Sequence, residues 1–121
     1  MALSITSIVA DVGSFHAVQP TATATRDVLK GSAGTLFKVE IDNTAGLAPV
    51  WVKFYEHATP TIGTTVNAHS FYCAAGSTAV YSNPAGTAMG TAISMATVTN
   101  GGGTVGTTDP LTNVIVRVQY A

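Results

Sequence analysis

Three stretches of the chain alternate apolar and polar side chains with a period of two, the signature of a half-buried β-strand. Over residues 35–42, Phe37, Val39 and Ile41 fall on one side and Lys38, Glu40 and Asp42 on the other. Over 50–57, Val50, Val52 and Phe54 share one face, and Trp51, Lys53 and Tyr55 share its reverse. Over 113–120, Val114, Val116, Val118 and Tyr120 line up opposite Arg117 and Gln119. Weaker strand signals lie at 3–9, 70–74, 78–82 and 92–99. No window of a dozen residues keeps apolar side chains at helical spacing without Gly, Pro or a threonine cluster, so no helix is expected.

Breakers punctuate these runs. Asn43, Thr44, Ala45 and Gly46 supply turn chemistry after the first, through the tolerance of Asn and Gly for left-handed backbone. Gly31 and Gly34 precede that strand, Pro60 and Gly63 follow the Trp51 strand, and Gly76, Pro84 and Gly86 bracket Tyr81. Short strands at this spacing predict an all-β antiparallel sandwich in one domain. Residues 31–121 form the sandwich in this reading. Residues 1–30, with the Thr-Ala repeat at 21–25, form an extended N-terminal arm carrying a first strand.

Composition sharpens the picture. With 121 residues, the chain is long enough to bury a core without a disulfide or metal. Nineteen threonines favour extended backbone, because a branched Cβ stiffens the side chain and suits a pleated surface. Charged residues make up only 9%, and the net charge is −1. So balanced a charge offers no field to attract a phosphate backbone, so no nucleic-acid partner is expected. No apolar run is long enough to span a bilayer. The first residues lack an early Lys or Arg and do not read as a secretory signal. Cys73 is the single cysteine, which excludes an intramolecular disulfide.

Chemical motifs are sparse. Gly101, Gly103 and Gly106 match G-x-G-x-x-G, but Thr107, Thr108, Asp109 and Pro110 follow where a phosphate-binding helix would have to start, so a loop is the better reading. His16, His57 and His69 lack ligand spacing, and no metal or cofactor is expected. Cys73 has no basic neighbour to activate it and reads as a small buried apolar group. No serine sits in a nucleophile elbow. The chain therefore reads as a non-enzyme. One feature could bind a sugar: Trp51 and Tyr55 on one strand face, with Lys53 between them. The alternatives for that pair are an interface anchor and ordinary packing.

Several segments together resemble a pattern in small virion proteins of tailed bacteriophages. They are residues 36–43, the Val50-Trp51-Val52-Lys53-Phe54-Tyr55-Glu56 strand, Pro60-Thr61-Ile62-Gly63-Thr64-Thr65, the Ala74-Ala75-Gly76 turn, residues 90–99 and the closing strand at 116–120. The resemblance implies a jelly-roll or related sandwich used as a capsid decoration (cement) protein. It would sit on the virion surface, bind the major capsid protein lattice and assemble as a homotrimer. Expected contact residues are Leu3 and Ile5 in the arm, Trp51 and Tyr55 on their strand, and Val105 and Asp109 in the glycine-rich loop. The rival expectation is a carbohydrate-binding module built on Trp51 and Tyr55.

Overall fold

The computed structural model describes residues 15–19, 22–100, 106–110 and 113–121. Eight strands follow in chain order: β1 (Phe15–Gln19), β2 (Asp27–Lys30), β3 (Gly34–Asp42), β4 (Val50–Tyr55), β5 (His69–Cys73), β6 (Thr78–Met89), β7 (Ile93–Val98) and β8 (Ile115–Tyr120). There is no helix among the described residues. The three strongly alternating runs are β3, β4 and β8.

All pairings are antiparallel, and they nest: β1 with β8, β2 with β7, β3 with β6, β4 with β5. The chain is thus one long hairpin rolled up on itself. Two further pairings, β3 with β8 and β4 with β7, stitch the roll into sheets ordered β1-β8-β3-β6 and β2-β7-β4-β5. That is the jelly-roll form of the antiparallel sandwich. Every pairing joins one of the first four strands to one of the last four.

Between the sheets lies one apolar core. Val39 and Ile41 of β3, Val52 and Phe54 of β4, Ile93 and Met95 of β7, and Val116 and Val118 of β8 meet there. The inward faces of β4 and β8 follow the alternation in the sequence. In β3, Val39 and Ile41 face the core as their spacing requires, but Phe37 does not join them. A bulge at Phe37 shifts the register, so that Leu36 enters the core and Phe37 stands half-buried beside it. The boundary expected at residue 30 also moves. β1 and β2 are strands of the two sheets, so the sandwich includes residues from Phe15 onward. The 3–9 strand signal falls outside the described residues.

The turn after β3 works differently from its sequence reading. Asn43 is buried, and its side-chain amide donates to the carbonyls of Ala48 (3.0 Å) and Ala74 (3.2 Å), tying together the turns that follow β3 and β5. Gly46 is required for space rather than for left-handed backbone, because a Cβ there would lie 1.9 Å from Asn43 Oδ1.

Candidate functional site

The Trp51–Lys53–Tyr55 face points away from the core, on the outside of the second sheet. It is nevertheless largely covered. Lys53 is 0% exposed and Tyr55 1% exposed, and Ser94, Ala96 and Val98 on the same face of β7 are buried too. Two described segments lie against this face. Ser94 Oγ donates to the carbonyl of His57 at 2.6 Å, and Gly106 sits so close to Val98 that a Cβ would come within 3.0 Å of its Cγ2. The segments also touch each other, since Gly63 packs against Thr107 Cγ2. Burial pushes the Lys53 ammonium pKa down and the Tyr55 phenol pKa up, because both charged forms are disfavoured away from water.

Of the proposed aromatic pair, Tyr55 is therefore unavailable to a sugar or a partner on this surface. The neighbour that Trp51 finds instead is Tyr72 of β5, with ring centroids 5.1 Å apart and planes at 60°. Tyr72 is 45% exposed and Trp51 half-buried. Rings meeting edge to face do not form the flat shared platform on which a pyranose stacks. Asp109 is exposed, and its Oδ1 accepts the Ala24 N–H at 2.7 Å, which anchors the segment ahead of β8 to the one ahead of β2. Leu3, Ile5 and Val105 lie outside the described residues.

The remaining polar candidates are dispersed. Among the described residues, no group of three His, Cys, Asp or Glu side chains gathers where it could hold a metal. His57 Nδ1 accepts the N–H of Thr59, and His69 stacks on Phe71. Cys73 is buried beneath the carbonyls of Ser77, Ala74 and Ile41, and burial raises its thiol pKa. A thiol held protonated is a poor nucleophile.

The most distinctive surface is one that neither the alternation nor the motifs singled out. β5 and β6 are the outer strands of their sheets on the same side of the sandwich. Tyr81 of β6 spans the gap, donating its hydroxyl to the Tyr72 carbonyl of β5. Neither strand carries Asp, Glu, Lys or Arg, although β6 is twelve residues long. Val80 stands 56% exposed on the outer face of β6. Long exposed edges are normally blunted with charge, since their unpaired backbone groups can template a foreign strand. The signal was present in the sequence: residues 57–108 contain no Asp, Glu, Lys or Arg.

No family model matches the chain, and no curated protein matches it. A solved structure from Bacillus endospore appendages, described as a novel family of disulfide-linked pili, is 14% identical. It aligns over 88% of this chain and 84% of the other, with a TM-score of 0.42.

Proposed function

We propose that the protein is a structural component of a tailed-phage virion. In this reading it decorates the capsid surface as a trimer and stabilises the shell by binding the major capsid protein lattice. The observation that carries the reading is the uncharged β5–β6 edge. An extended segment of a neighbouring subunit can pair with β6 through main-chain hydrogen bonds, and Val80 and Tyr72 flank that edge. Covering this surface strips water from no ion, so the desolvation cost is low.

Each contact can be weak. A trimer that engages several lattice subunits gains effective concentration from its own connectivity, and it loses that gain when the subunits are separate. Preference for the assembled lattice over its parts is what makes a decoration stabilising.

Rate-zonal sedimentation of native source material, with this chain followed by mass spectrometry, tests the reading. Co-migration with particles of megadalton size, and release under mild denaturant as a discrete oligomer, supports it. Migration as a lone 12.3 kDa species overturns it. Val80→Lys places a charge on the edge and is expected to abolish particle binding while the domain stays folded. Undiminished binding by that variant would remove the edge from the account.

A further inference from the structure

The β3–β6 pairing loses step once along its length. Leu36 pairs with Thr87 and Lys38 with Ser82, so Phe37 alone stands opposite the four residues Asn83, Pro84, Ala85 and Gly86. The break is built into the sequence. Gly86 adopts a φ of +86°, and a Cβ there would lie 2.3 Å from Thr35 Cγ2 and 3.0 Å from Phe37 Cε1. Asn83 Nδ2 donates to Thr87 Oγ1 at 3.0 Å and closes the bulged segment. Pro84 is tolerated because β6 is an edge strand.

Where the strands part, a groove of about 400 Å³ opens. That is within the usual size of a small-ligand site. Its apolar lining comes from Leu36, Phe37, Val39, Phe71, Val80 and Tyr81, with the Phe71 and Tyr81 rings 4.9 Å apart. Its polar lining comes from Ser82, Asn83 and Thr87, together with Lys38. Lys38 is the one ionised side chain among the described residues lining the groove, and no carboxylate lines it. The acid two residues along the same strand face, Glu40, is held by Arg117 at 3.1 Å.

We propose that this groove binds a small organic acid, an aryl or alkyl monocarboxylate whose body lies against the apolar lining and whose carboxylate meets Lys38. The groove adjoins the β5–β6 edge of the assembly reading and shares Val80 with it, but the proposal does not rest on that reading, and its test uses the isolated protein.

The test is a titration of the isotope-labelled protein with 4-phenylbutyrate, followed by amide NMR. Saturable shifts are expected at residues 36–39 and 81–87. The neutral analogue 4-phenylbutanol should bind about tenfold more weakly, the usual worth of a charge-assisted hydrogen bond. Lys38→Gln should bring the acid down to the level of the alcohol without moving the urea midpoint. Ser82→Phe, made from an exposed position, should fill the groove and block both ligands. Shifts scattered over the surface overturn the proposal. So does equal affinity for acid and alcohol, or an acid affinity untouched by Lys38→Gln.

Discussion

The two sheets of the sandwich treat their outward faces in opposite ways. On the first, Lys38, Glu40 and Asp42 of β3 and Arg117 and Gln119 of β8 reach toward solvent, and Arg117 pairs with Glu40. Asp42 caps the strand end, its carboxylate accepting the Thr44 hydroxyl at 2.6 Å and the Thr44 N–H at 3.1 Å. The Thr44 hydroxyl, then the N–H, hold its pKa below the ordinary value. On the second, Lys53, Tyr55, Ser94, Ala96 and Val98 are buried beneath loop segments. The first sheet is dry on its inward face alone, whereas the second is dry on both faces along β7 and much of β4, with Tyr72 of β5 and Val28 of β2 still exposed at its margins. The outward residues of its two central strands therefore behave as a small second core. A period-two pattern tells which side chains share a face, but not what lies over that face.

That contrast can be broken in order of expected effect. Tyr55→Ala should cost about 3–5 kcal/mol, the range for emptying a large buried aromatic site, read as a fall in urea midpoint. A cost below 1 kcal/mol would show that the loops do not enclose the face. Ser94→Ala removes the hydrogen bond to the His57 carbonyl and should cost about 1–2 kcal/mol, since a carbonyl is left without its donor. Amide exchange in the loop after β4 should speed up with it.

The third effect is a pH dependence. Because burial lowers the Lys53 pKa from its ordinary 10.5, the unfolded chain binds a proton that the folded chain does not, between the lowered value and 10.5. Stability from this group therefore rises with pH through that window and is flat below it. Tyr55 acts in the opposite sense: its raised pKa means that the phenol's contribution falls as pH climbs above 10.0. Lys53→Met should remove the rise on the approach to pH 10. Identical pH profiles for the variant and the parent would place the Lys53 ammonium in water. The smallest effect belongs to the first sheet. Glu40→Ala should cost less than about 1 kcal/mol, and less still in high salt, because its ion pair is exposed.

How much of this was legible follows the same division. β3, β4 and β8 announced themselves, because each alternates and each sits at the centre of a sheet against the common core. β7 was a weaker signal, since a strand buried on both faces loses its alternation: Ile93-Ser94-Met95-Ala96-Thr97-Val98 has no polar side that faces water. β1 and β2 left little trace, being short edge strands whose place is set by pairing with β8 and β7 rather than by their own pattern. β6 read as a fragment at 78–82 because Pro84 and Gly86 look like terminators. The strand instead bulges around them and resumes its pairing. At the candidate site, Trp51 was noticed but its partner was misplaced by one strand: Tyr55, four residues along the chain, is buried, whereas Tyr72, across the ladder, stands beside it. Registers between strands decide such neighbours, and they are not local in sequence.

The nested pairing has a consequence for how the chain could be divided. Among the described residues, a cut in the connection between β4 and β5 yields two pieces of four strands each, and neither inherits a strand-to-strand partner of its own, since all six pairings cross the cut. Each sheet is woven alternately from one piece and the other. The halves are accordingly complementary templates rather than subdomains. Apart, each exposes only unpaired edges, and together they reconstitute both sheets at once, which makes that connection the natural place to split the molecule into a pair of mutually dependent fragments.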